Sequence, residues 1–104
     1  MAKYLFVYHG GEHPQTEEEV AKVMDDWGNW LGSMGAGVID GGNPVGPSST
    51  VHPDGSVTND GGSNPTSGYG IFEAADMDDA IAKAKGCPIL AAKGSIEVAE
   101  AIDM

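Results

Sequence analysis

His9 ends the apolar run Tyr4-Leu5-Phe6-Val7-Tyr8 and is followed by Gly10 and Gly11. A histidine at a strand end commonly faces a cleft, and imidazole is the side chain suited to acid–base work near neutral pH. The plainer alternative is a single hydrogen bond to nearby backbone. Asp60 sits in Asn59-Asp60-Gly61-Gly62, a turn that alone explains an aspartate, because Asx side chains bond their own backbone. Glu73 and Glu97 both fall in β-prone stretches. Glu97 shares its phase with Ala99 and Ala101, whose small side chains leave room for a pocket, whereas Glu73 reads better as a solvated position. Tyr69 and Trp27 are candidates for lining the same pocket, with core or dimer packing as the alternative.

His9, Glu12 and His13 invite a metal reading. Zinc sites on helices use histidines four apart, and Gly10 and Gly11 disfavour a helix here, with no third ligand at a usual spacing. The sequence therefore predicts no metal and no cofactor. His52, beside Pro53, reads as an exposed hairpin residue. Cys87 is the only cysteine, which excludes an internal disulfide and fits a reducing compartment. Before Pro88 it reads as a small buried residue at a helix end. No glycine cluster has the strand-then-helix setting of a phosphate cradle.

Sixteen acidic residues against five lysines give a net charge of −11. Nucleic acid and anionic membranes are repelled by such a surface. The chain has no arginine, hence no bidentate clamp for phosphate or carboxylate. A small neutral or aromatic organic ligand suits it better. The apolar run at the N-terminus is too short for a signal core or a membrane span, so the sequence reads as a soluble, cytoplasmic protein.

These residues must be positioned by few elements, since 1–104 reads as one domain with many turn residues. Tyr4 to Tyr8 is a central strand with Leu5, Val7 and His9 in one phase and Tyr4, Phe6 and Tyr8 in the other. Thr16 and Glu19 form a capping box for a helix over about 17–34, with Val20, Val23, Met24, Trp27, Trp30, Leu31 and Met34 as its apolar stripe. Gly35 and Gly37 stop it. Val38-Ile39-Asp40 is a short strand. Residues 43–66 form a loop and hairpin insertion turning at Pro53-Asp54-Gly55.

Gly68 to Ala74 is the next strand. Asp76 caps a second helix whose buried face is Met77, Ala80, Ile81 and Ala84; Gly86 ends it and Pro88 prevents its resumption. Ser95 to Ile102 alternates as the last strand, with Ile96, Val98 and Ile102 opposite Glu97, Ala99 and Ala101. The order β-α-β, hairpin, β-α-β predicts an α+β, ferredoxin-like antiparallel sheet with two helices on one face. The other face is left bare and apolar. Pairing two such faces would build a dimeric α/β barrel, so a homodimer is expected.

With those elements placed, the chain resembles the YCII-related domain family, in its DGPF-type branch. The resemblance rests on Lys3-Tyr4-Leu5-Phe6-Val7-Tyr8, Asp54-Gly55-Ser56-Val57-Thr58 and Gly68-Tyr69-Gly70-Ile71-Phe72-Glu73-Ala74. It continues through Asp76-Met77-Asp78-Asp79-Ala80, Ala84-Lys85-Gly86-Cys87-Pro88 and Gly94-Ser95-Ile96-Glu97-Val98. It implies a dimeric α/β barrel, and relatives that act on small organic molecules such as ring-cleavage products. The His–Asp pair proposed as acid and base in the YCII branch cannot be carried over, because the first helix carries Trp27 and Trp30 and no histidine. The DGPF motif is reduced to Asp60-Gly61-Gly62-Ser63. Two functions fit these residues: a dimeric barrel that binds a small organic ligand without chemistry, or a small lyase, isomerase or hydrolase. In the second, His9 is the general acid or base and Asp60 orients or assists it.

Overall fold

The computed structural model describes residues 2–62 and 64–103. Four strands form one antiparallel sheet: β1 (Ala2–His9), β2 (Val38–Asp40), β5 (Thr66–Ala74) and β6 (Ser95–Ala101). Their order is β2-β5-β1-β6, so β1 is central and pairs on both sides. This is the ferredoxin-like arrangement, with the predicted hairpin present as β3 (Thr50–Val51) and β4 (Val57–Thr58).

Helix α1 (Glu17–Met34) starts where its cap residues require. Thr16 Oγ1 accepts the Glu19 N–H at 3.1 Å, and Glu19 Oε2 reaches back to the Gln15 N–H at 2.6 Å. Three glutamates occupy its first turn, at the positive end of the dipole. Helix α2 (Met77–Ala84) repeats the device with Asp76 accepting from the Asp79 N–H at 2.8 Å. Pro88 does not end helical structure as its sequence position suggests. It begins a short helix, α3 (Pro88–Ala91), because at N1 its missing N–H has no intrahelical partner to lose.

The core lies between sheet and helices. Tyr4, Phe6 and Tyr8 of β1 and Phe72 and Ala74 of β5 meet Trp30, Ala80, Ala84 and Cys87. Phe6 and Phe72 are fully enclosed, with ring centroids 4.6 Å apart and the Trp30 ring 5.4 Å from Phe72. Trp30 Nε1 donates to the Lys83 carbonyl at 2.9 Å, tying α1 to the end of α2. The apolar stripe of α1 is buried mainly over its second half, for Val20 and Met24 remain exposed. On α2 only Ala80 and Ala84 are buried. Met77 and Ile81 instead line a shallow apolar groove of about 370 Å³ with Leu90, Ile96 and Val98.

The opposite phase of the strands faces away from the helices. In one row across β5, β1 and β6 stand Tyr69, Val7 and Glu97, and in the next Ile71, Leu5 and Ala99. Leu5 is 36% exposed and Ile39 44%, so a single chain leaves this face uncovered. Ile102 lies beyond the end of β6 and is exposed.

Candidate functional site

His9 occupies the end of β1 on the uncovered face, at a point where the pairing is irregular. Tyr8 pairs with Gly68 but His9 pairs with Thr66, a β-bulge on β5. Bulges of this kind re-aim side chains and cluster at functional sites. On its other side β1 pairs regularly, Val7 with Glu97 and His9 with Ser95, which sets Glu97 diagonally beside His9. His9 Nε2 and Glu97 Oε1 are 3.2 Å apart, and His9 Nδ1 lies 3.2 Å from the Pro65 carbonyl.

Both ring nitrogens thus meet oxygen acceptors. A doubly protonated ring donates to both, and a singly protonated ring donates to one. The imidazole is nearly buried, at 11% side-chain exposure, while the Glu97 side chain is 70% exposed. The carboxylate is therefore the solvent-facing half of the pair, and the ring is the enclosed half.

Tyr69 stands across Val7 from Glu97, and its hydroxyl accepts from Asn43 Nδ2 at 3.4 Å. The segment after β2 continues along β5 to make this contact. The Tyr69 N–H donates to the Asn43 carbonyl at 3.3 Å and the Val45 N–H to the Ser67 carbonyl at 3.1 Å. Gly42 permits the approach: at φ +75° it passes so close to β5 that a Cβ would overlap the Tyr69 carbonyl oxygen. An apolar floor of Val7, Leu5 and Ile71 thus ends in a polar corner of His9, Glu97 and Tyr69.

Asp60 is held differently. Its Oδ1 accepts the Gly62 N–H at 3.0 Å, and among the described residues no hydrogen bond joins it to His9. The Gly62 N–H, aided by the Thr58 hydroxyl, holds its carboxyl below the usual carboxylate range. Ser63, the last residue of the reduced DGPF motif, lies outside the described residues. Trp27 is on the helix side, with its ring edge-on to Tyr8 at 5.1 Å and Trp30 at 5.6 Å. The sheet therefore separates Trp27 from Tyr69 and Glu97, and its observed contacts are core contacts.

Glu12 turns away from His9, because Gly10 and Gly11 both take positive φ and the chain doubles back onto the loop before β6. The Glu12 N–H donates to the Ala92 carbonyl at 2.7 Å, and Glu12 Oε1 is 3.1 Å from Lys93 Nζ. Among the described residues no three His, Cys, Asp or Glu side chains converge as metal ligands, and no helix is long and apolar enough to cross a membrane. His52 Nε2 is 3.1 Å from Thr58 Oγ1 within the hairpin. Cys87 is buried, and burial pushes its thiol up to about 12.

His9 and Glu97 are each marked as candidates by residue type and position, but nothing local in the sequence pairs them. The usable signal was phase: Val7 and His9 alternate on one strand, and Glu97 alternates on another. Only the register of β1 against β6 makes them neighbours.

An α+β domain with a polar pair at one end of an uncovered sheet face is the class that fold and site define. The model of the YCII-related domain matches residues 4–104, and the chain belongs to that family. Among solved structures it is similar to 5-chloro-2-hydroxyhydroquinone dehydrochlorinase from Burkholderia phenoliruptrix AC1100 in complex with 2,5-dihydroxybenzoquinone. The TM-score is 0.56 at 17% identity, covering 96% of this chain and 95% of that one. That likeness concerns the fold. A comparison with curated proteins gave no match.

Proposed function

We propose that this chain is a single YCII-related domain, cytoplasmic, that pairs into a dimeric α/β barrel and binds a small neutral or aromatic ligand on the uncovered sheet face. The observation that carries this reading is the His9–Glu97 pair at the end of the Val7–Leu5–Ile71 floor. A flat ring packs on the floor while its hydroxyl or carbonyl groups bond the polar corner, Tyr69 included. The insertion over 43–66 serves as a flap, and the second copy closes the opposite side.

A thermal-shift screen of hydroxylated aromatics and quinones, 2,5-dihydroxybenzoquinone among them, tests the ligand. A compound at a hundred times its Kd stabilises the fold by about 2.7 kcal/mol, a readable rise in Tm. The rise is expected to vanish in His9→Ala and to shrink in Glu97→Gln. A hit that neither substitution weakens places the ligand elsewhere. Sedimentation velocity at micromolar concentration is expected to show a dimer, and a stable monomer would end the barrel reading.

The His9–Glu97 bond also favours a second reading, a small lyase, isomerase or hydrolase in which His9 is the acid or base. Glu97 then sets the ring and offsets the charge it gains, with Asp60 orienting His9 from a distance. Conversion of a bound compound by wild type and not by His9→Ala supports this reading. Binding without conversion supports the first.

A further inference from the structure

The turn at Asp60 is joined to His9 through Pro65. The Asp60 Oδ1 to Gly62 N–H bond closes an Asx turn in which Gly61 has φ +64° and Gly62 φ +83°. A Cβ on Gly61 would stand 2.8 Å from Pro65 Cβ and 2.6 Å from Ser48 Oγ, so the turn lies directly against Pro65. The Pro65 carbonyl in turn faces His9 Nδ1 at 3.2 Å. Proline has a fixed φ and no N–H of its own to pair, so its carbonyl is aimed from two sides: by Thr66, which pairs with His9 at the start of β5, and by the turn packed against the Pro65 ring.

We propose that Asp60 is a positioning residue for His9. Its Asx turn seats Gly61 against Pro65, and the Pro65 carbonyl then holds a proton on His9 Nδ1 and turns Nε2 toward the uncovered face, where it donates to Glu97 once the ring carries both protons. The functional meaning of this device rests on the proposed role of His9, but the device itself is a property of the free protein. Asp60 contributes an oxygen acceptor, not a charge or a proton. Asparagine offers the same acceptor atom in the same place, so it should replace aspartate at this position.

The histidine-ring ¹⁵N spectrum of the full-length protein reads the device without any ligand, with His9 assigned by its loss in His9→Gln. Wild type and Asp60→Asn are both expected to show His9 with a fixed Nδ1–H. Asp60→Ala and Gly61→Ala are expected to lose that signature, moving His9 toward the tautomer average of the exposed His13. Asp60→Ala alters only an exposed turn side chain, so it decides the matter even if Gly61→Ala, strained at its positive φ, does not fold.

Asp60→Asn behaving like Asp60→Ala would overturn the proposal, because the charge would then matter. So would a wild-type Nδ1–H signature that survives in Asp60→Ala. A failed ligand screen with the expected spectra would count against the ligand reading alone, since the spectra are taken on the free protein.

Discussion

Phe72→Ala is expected to destabilise the protein by about 3–5 kcal/mol, the usual range for emptying an enclosed aromatic site. Phe72 is fully buried, with Phe6 at 4.6 Å and Trp30 at 5.4 Å between ring centroids. Those three rings join the central strand, its neighbour and α1, so no adjacent side chain can swing in to fill the space. A domain of this size has about 5–15 kcal/mol of net stability, and one such loss removes much of it. Urea denaturation at fixed protein concentration reads the effect as a lowered midpoint with an unchanged slope. Val51→Ala is the control: Val51 is 71% exposed, and its loss should cost no more than about 0.5 kcal/mol. A Phe72→Ala protein as stable as that control would mean the aromatic cluster is not the core.

The fold is also expected to lose stability steeply in alkali. Cys87 and Tyr8 are both buried on the helix side of the sheet, at 3% and 5% exposure. Burial pushes the Cys87 thiol from an ordinary 9.0 up to about 12, and pushes the Tyr8 phenol well above its ordinary 10.0. An unfolded chain releases the thiol proton near pH 9 and the phenol proton near pH 10, while the folded chain keeps both. Between pH 9 and about 12 the native state therefore binds more protons than the unfolded state, and stability falls as pH rises. The slope approaches about 1.4 kcal/mol per pH unit for each group, less what solvent screening removes.

Denaturation midpoints from pH 8 to 11 measure this, and Tyr8→Phe should flatten the curve above pH 10. The Tyr8 hydroxyl is buried with no hydrogen-bond partner among the described residues, so the same substitution should be neutral or stabilising at pH 7. An alkaline slope unchanged in Tyr8→Phe would assign the loss to other groups.

Much of this architecture is legible locally. The caps at Thr16 and Asp76, the helical spacing of the α1 stripe and the alternation around Glu97 each depend on residues within a turn or two. Local pattern is weaker where an element depends on what it packs against. Val20 and Met24 satisfy the α1 period as well as Trp30 does, yet only Trp30 is buried. Pro88 illustrates the same limit, since one residue type both ends helices and opens them.

The sequence by itself determined the strands, the two longer helices and which phase of each strand carries His9 and Glu97, but not the short helix at Pro88. Backbone sterics, capping hydrogen bonds and hydrophobic period act over a few residues, so those outcomes follow from neighbours in the chain. Tertiary structure alone decided which carboxylate meets His9. The Asp60 oxygen is taken locally by the Gly62 N–H. Glu97, 88 residues away from His9, is brought to it by antiparallel register. A strand's phase is written in its own residues; its register is set by the partner it finds.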